Sequence, residues 1–193
     1  MTDSKHLLWK TEEVRRVYDG AIFNLDEVRR KSTDGREGVF VSLDAPRWVT
    51  MVPWFLDEKG VPHFKMVRQY RHGSGTVTIE FPAGTVDDHE DVLEAGKREL
   101  LEETGCVGLK EPVLLGTVSP NPAFMNNRVW IYFVEGLTRI AGQSLDENEQ
   151  VDILDIPVKT VIDSMGTGEY DNGIMMIAQA FFLRYASKHG GLL

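Results

Sequence analysis

Three glutamates near the middle of the chain are spaced so that they can act together. Glu99 and Glu103 lie four residues apart, with Glu102 between them. On a helix, Glu99 and Glu103 stack on one face and Glu102 lies on its flank. Carboxylates crowded in this way repel each other unless a cation neutralises them. A ligand set made of oxygen alone suits a hard divalent ion such as Mg²⁺ or Mn²⁺. The same residues admit a plainer reading. Glu94, Arg98 and Glu102 form an i, i+4, i+8 ladder of alternating sign, a common way to solvate a helix face. Carboxylate spacing alone leaves both readings open.

The elements that must position these residues can be read around them. Gly84 opens the stretch as a turn. Gly105 closes it as a left-handed stop, so a helix is predicted from near Asp91 to Thr104. Val92, Leu93, Leu100 and Leu101 include its core-facing positions, which hold the acidic face rigid. Gly96 inside the helix costs about 1 kcal/mol relative to alanine, so the close approach of some other element is expected there. Arg98 is expected to orient a glutamate by ion pairing.

The full pattern is more specific than the carboxylates. Gly84 is followed by five residues, Glu90, seven residues, and then Arg98-Glu99-Leu100-Leu101-Glu102-Glu103-Thr104-Gly105 and the small apolar Cys106. This run resembles the Nudix box at every defining position. The resemblance implies a Nudix hydrolase, an enzyme that cleaves a nucleoside diphosphate linked to another group. The implied fold is α/β, an α/β/α sandwich around a mixed central sheet. Glu99, Glu102 and Glu103 are the implied metal ligands, with Glu103 and Arg98 as catalytic candidates. Glu90 matches a structural residue at the helix entry.

Flanking segments extend the likeness. Residues 76–81 alternate as a strand and run into Glu80-Phe81-Pro82-Ala83-Gly84, similar to the entry of the box in the ADP-ribose pyrophosphatase-like subgroup. There the backbone carbonyl at the Ala83 position joins the metal shell, and the glycine lets the chain turn beside the ion. The strand over residues 64–70 ends in Arg68-Gln69-Tyr70-Arg71-His72-Gly73, similar to the same subgroup. Arg71 is the candidate phosphate contact, since a guanidinium meets phosphate through parallel hydrogen bonds. Its alternative role is a salt bridge.

Pro122, sixteen positions after the box, stands where the family marks ADP-ribose-type substrates. Around it, Asn126, Asn127 and Arg128 beside the apolar Phe124 can line a sugar or base pocket, although Pro, Asn and Phe are also ordinary loop residues. Residues 135–150 read as a flexible acidic loop. The resemblance places a catalytic or metal-binding glutamate there. Glu149 matches best and Glu147 is the alternative. Strands are expected over residues 48–56, 113–118, 129–134 and 151–156, and helices over 158–165 and 173–188.

The chain has 193 residues, a net charge of −9 and one cysteine. Its length suits one ordinary domain. We divide it into residues 1–45, a tail and small antiparallel meander for dimerisation, and residues 46–193, the hydrolase domain. Such a meander implies a homodimer in this subgroup. The negative charge argues against nucleic acid as a partner. No apolar run is long enough to span a bilayer, and no internal disulfide can form, so a cytoplasmic protein is expected. The expected reaction is Mg²⁺- or Mn²⁺-dependent hydrolysis of a nucleoside diphosphate-sugar, foremost ADP-ribose to AMP and ribose 5-phosphate. Two alternatives remain, a pyrophosphatase for another nucleotide and a non-catalytic nucleotide-sensing module.

Overall fold

The structure, a computed structural model, describes residues 4–193. The first three residues of the expected tail lie outside the described residues, and Lys5–Leu7 form a single 3₁₀ turn. The strands and helices follow in chain order as β1 (Trp9–Tyr18), β2 (Asn24–Ser32), β3 (Glu37–Asp44), β4 (Trp48–Leu56), β5 (Pro62–Arg71), β6 (Thr76–Glu80), β7 (Ala83–Thr85), α1 (Val92–Thr104), β8 (Cys106–Gly108), β9 (Val113–Val118), β10 (Val129–Glu135), β11 (Leu137–Arg139), β12 (Val151–Pro157), α2 (Val158–Ser164) and α3 (Gly173–Ala186).

These elements fall into two compact units, residues 1–46 with 119–128, and residues 47–118 with 129–193. The first unit is the expected meander, an antiparallel sheet in the order β1-β2-β3. Its hairpins turn at Asp19-Gly20 and at Asp34-Gly35, residue pairs that favour turns. Residues 119–128 join this unit as well, which strand patterning did not suggest. Met125 bridges Leu43, and the Asn126 amide donates to Asp44 at 2.8 Å and accepts from the Ala45 N–H at 3.3 Å.

The second unit is built on a mixed sheet in the order β12-β5-β4-β10-β9, with β6 beside β5 and β7 beside β4. β4 and β10 are parallel, and the remaining pairs are antiparallel. The β4 sequence, Trp-Val-Thr-Met-Val-Pro-Trp-Phe-Leu, is a nearly unbroken apolar run because both of its faces are covered. Val49 and Met51 pack with Val86, Ala95 and Leu100 on the α1 side. Val52 and Trp54 pack with Phe64, Phe133, Val161 and Phe182 on the α2 and α3 side. The result is the expected α/β/α sandwich. Pro53 lies where β4 exchanges partners, between the stretch paired with β7 and the stretch paired with β5. A residue without an N–H is tolerated there.

Residues 135–150 are more ordered than the sequence suggested, since β11 pairs with β8 in a second small antiparallel sheet. The unnamed neighbour of Gly96 is β4. A Cβ at Gly96 would stand 2.5 Å from the Met51 sulfur and 2.9 Å from Val49 Cγ2. Both residues are fully buried. Gly96→Val, which adds a branched side chain at that contact, should therefore destabilise the fold by about 1–3 kcal/mol through overpacking. Urea denaturation of the two proteins side by side measures this, and an unchanged midpoint would show that the sheet can yield.

Candidate active site

The acidic helix is held at both ends by its own chain. Asp91 caps its start, with Oδ1 accepting from the N–H groups of Leu93 at 2.9 Å and Glu94 at 3.2 Å. Gly105 ends it in the left-handed region, φ 70°, as predicted. The chain then needs donors for the last carbonyls of the helix, and the 140–144 segment provides them. The Gln143 amide donates to the Glu103 carbonyl at 2.8 Å and to the Val151 carbonyl at 3.0 Å. The Ser144 N–H donates to the Glu102 carbonyl at 2.9 Å, and the Ile140 and Ala141 N–H groups reach the Gly105 carbonyl at 2.9 and 3.2 Å. Neither Gln143 nor Ser144 was a candidate from sequence. Capping across about forty residues of chain leaves no local pattern.

Before the helix, β7 is bonded to β4, with Thr50, Val49 and Trp48 opposite Ala83, Gly84 and Thr85. Glu99 lies directly over this strand. A Cβ on Gly84 would stand 2.1 Å from the Glu99 carboxyl carbon, so only glycine lets the backbone and carboxylate meet. Glu103 lies deeper, 5% exposed, and accepts from the Ala83 N–H at 3.2 Å. Glu102 is the outermost of the three.

Arg98 ties this cluster together. Its guanidinium meets Glu90 at two points, both 3.0 Å, and also donates to the Thr85 carbonyl at 3.2 Å. Its Nη1 reaches Glu99 at 2.9 Å and Glu102 at 3.0 Å. The paired Arg98 holds the Glu90 carboxyl below its usual range. Arg98 itself is held firmly in the charged form, first by its hydrogen bonds to Glu90. Glu90 is thus part of the frame.

The two inner carboxyls behave differently. Burial pushes the Glu99 carboxyl up, Arg98 offsets this in part, and the charges of Glu102 and Glu149 add to the rise. Glu103 is raised well above the ordinary range, foremost by burial and then by the charge of Glu99. Among the described residues no three such groups converge in a ready-made metal cage. Arg98 Nη1 instead takes one oxygen each from Glu99 and Glu102. The donor set still fits a hard divalent ion in kind. It is oxygen only, it crowds more negative charge than Arg98 neutralises, and Gly84 leaves room where a side chain would fill the contact.

The other candidates fall as follows. Arg71, at the end of β5, pairs with Glu80 through Nε at 2.9 Å and Nη2 at 2.6 Å. Besides Glu80, its charge is felt by Glu103 and Glu149. Glu149 is exposed in a turn closed with Asp146, whose carbonyl accepts the Glu149 N–H at 3.0 Å. It bears electrostatically on Glu99, Glu103 and Arg71. Pro122, Phe124 and Asn126 belong to the N-terminal unit. There they line a cavity of about 330 Å³ with Trp9, Arg30 and Phe40. Glu80 was quoted from the sequence only as part of the entry to the box. Strand alternation sets it on the polar side of β6, yet Thr78 and Glu80 on that side are buried too.

Comparison with known proteins decides what this arrangement is. Residues 45–162 match the NUDIX domain. The chain belongs to the Nudix family. It is a Nudix pyrophosphohydrolase, related to hydrolases of ADP-ribose and ADP compounds. A methanol dehydrogenase activator of Bacillus methanolicus is 26% identical over 93% of this chain and 96% of its own length. ADP compounds hydrolase NudE of Escherichia coli is 24% identical over 92% of both chains. The ADP-ribose pyrophosphatase of Bacillus subtilis is 28% identical over 55% of this chain and 58% of its own. The crystal structure of an ADP compounds hydrolase superposes with a TM-score of 0.80 at 19% identity, covering 95% of this chain and 96% of that one. That likeness shows the fold. Among the described residues no helix is long and apolar enough to cross a membrane.

The raised Glu103 carboxyl carries a stability consequence. A carboxyl whose folded value lies above its unfolded value, ordinarily about 4.3, favours the fold when protonated. That contribution is lost as pH rises through the folded value. In chelator at neutral pH, Glu103→Gln should therefore melt higher than the parent protein, with the gap closing as pH falls toward about 4.5. Adding Mg²⁺ should raise the parent more than the variant. Thermal melts across pH, with and without Mg²⁺, read both effects, and a parent that gains nothing from Mg²⁺ would count against these carboxylates as ligands.

Proposed function

We propose that the protein hydrolyses the diphosphate of a nucleoside diphosphate-sugar, foremost ADP-ribose to AMP and ribose 5-phosphate, with Mg²⁺ or Mn²⁺. The observation that carries this reading is the carboxylate face of α1 laid against the Gly84 backbone, with Arg71 and Glu149 within electrostatic reach. Nudix hydrolases as a family use divalent metal ions. Glu99, Glu102, Glu103 and the Ala83 carbonyl are the groups proposed to hold one here. Such an ion neutralises the diphosphate and makes phosphorus and water more reactive when bound. Arg71 binds the phosphates through its free N–H groups. Arg98 holds Glu99 and Glu102 in place. Glu149 takes the proton of the attacking water, and its exposed turn lets it meet that water only when substrate is present. Pro122, Phe124 and Asn126 are proposed to contact the sugar or base.

A second reading is an ADP-linked compound other than ADP-ribose. It is favoured by alignment over nearly the whole chain with the ADP compounds hydrolase, where the Bacillus subtilis ADP-ribose pyrophosphatase aligns over about half. A nucleotide panel with Mg²⁺, read by chromatography of the phosphate products, separates the two. Cleavage of no member would revive a sensing role. Within the hydrolytic reading, Glu149→Gln should lower kcat by about 10²–10⁴-fold, the usual span of a general base, with little change in binding. A fully active Glu149→Gln beside a crippled Glu147→Gln would move the role to Glu147.

The homodimer is also our inference. Val14, Val17, Val39, Phe40 and Val41 of the meander are exposed, more apolar surface than a small sheet normally leaves to water. Light scattering should return twice the chain mass, and a monomer at working concentration would remove the claim.

A further inference from the structure

Glu80 is a charge with no obvious reason to be where it is. It is 0% exposed at the end of β6, three residues before Ala83. An isolated buried carboxylate is costly, and a buried ion pair is often no more stable than well-packed apolar residues of the same volume. Stability alone therefore does not account for it. Its surroundings point elsewhere. Both oxygens are taken by Arg71 in a fork at 2.9 and 2.6 Å, and Thr78 Oγ1 donates to Oε1 at 2.5 Å. The Asn172 side chain, whose Oδ1 caps α3 by accepting from the Ile174 N–H at 2.9 Å, lies close enough to favour the charged form of Glu80. The backbone on either side is also held, with the Ile79 N–H on the Glu169 carbonyl at 2.7 Å and the Phe81 N–H on the Met175 sulfur at 3.0 Å.

This makes Glu80 a fixed point, while Arg71 is not closed off. The Arg71 side chain is 42% exposed, and the Glu80 fork occupies only Nε and one N–H of Nη2. The remaining N–H groups can meet an anion. A guanidinium held along one edge loses little freedom when its other edge binds, which is how a positioned group outperforms a mobile one.

We propose that Glu80 is a positioning residue for hydrolysis: its fork fixes the Arg71 guanidinium in the attitude that grips the substrate phosphates. The inference rests on the reading of Arg71 as the phosphate contact. Thr78 bonds Glu80 from behind, and Asn172 at the N-terminus of α3 adds its electrostatic support although it carries no reacting group.

The test is a double-mutant cycle on ADP-ribose hydrolysis with Mg²⁺, using Arg71→Ala, Glu80→Gln and the double variant, with a thermal melt of each. Gln at position 80 keeps the volume but turns an N–H₂ group toward the guanidinium. Arg71→Ala should lower kcat/KM by about 100-fold and Glu80→Gln by at least about 10-fold. The double variant should fall within about 3-fold of Arg71→Ala, because Glu80 acts only through Arg71. Losses that multiply in the double variant, or Glu80→Gln within about 2-fold of the parent while Arg71→Ala is crippled, overturn the positioning role. A fully active Arg71→Ala removes the phosphate reading itself, and that result does not involve Glu80. If Glu80→Gln does not fold, Glu80→Asp carries the same cycle, since it keeps the charge but withdraws it from the fork.

Discussion

The structure turns on a contact that only glycine permits, the Glu99 carboxylate lying on the backbone at Gly84. To bring a charged helix face this close to a strand, the chain must anchor both. β7 is anchored by its pairing to β4 and by the Met51 N–H on the Pro82 carbonyl at 2.8 Å. The helix is anchored by Ala95, Gly96 and Leu100, buried against the same strand. β4 therefore serves the site from both sides, with one stretch paired to the turn and one face packed under the helix. Gly96 belongs to the same logic. Its missing Cβ lets α1 settle onto Met51 and Val49, and its propensity cost is offset by the approach it allows.

Repulsion among the carboxylates is the second constraint. The fold meets it with arginine forks, each turned to a different purpose. Arg98 binds Glu90 at two points and spends its remaining donors on Glu99, Glu102 and Thr85. Arg68 forks onto Glu169 at 3.0 and 2.8 Å, joining β5 to the segment before α3. Arg71 forks onto Glu80 and keeps an exposed edge. Among the three glutamates of the helix face, Glu103 forms no ion pair, and burial followed by the charge of Glu99 raises its carboxyl well above the ordinary range. The group least served by the protein is the group with most to gain from a bound ion.

Much of this was legible in the sequence. The helix limits, the left-handed Gly105 and the strands over residues 48–56 and 113–118 follow from turn glycines and apolar runs, which are local signals. Family and fold follow from the resemblance of residues 84–106 to the Nudix box. The features missed are those that depend on register or on distant chain. β8 and β11 have three residues each, too few to show a period, and exist only because they pair. Gln143 caps a helix that ended about forty residues earlier. Glu80 could be placed on the polar side of β6, but nothing local says that Arg71 and Asn172 cover that side. The 119–128 segment reads as an ordinary loop, and its attachment to β3 is visible only through Leu43, Asp44 and Asn126.

A net charge of −9 is a poor starting point for a protein that binds a diphosphate. The conflict is smaller than the total suggests. At physiological ionic strength exposed charges farther away than about 8 Å are largely screened, so the substrate responds mainly to groups within one such length. Several carboxylates of the site are already paired, Glu80 by Arg71, while Glu90, Glu99 and Glu102 share Arg98. Paired carboxylates repel a phosphate less than free ones do, although the one charge of Arg98 offsets only part of the three around it. The arginine forks thus serve two ends at once. They permit an acidic helix face to exist next to the backbone, and they lower the local negative potential that an anionic substrate would otherwise have to cross. What they leave uncompensated lies in the cluster of Glu99, Glu102 and Glu103, where a cation rather than the substrate is the natural partner.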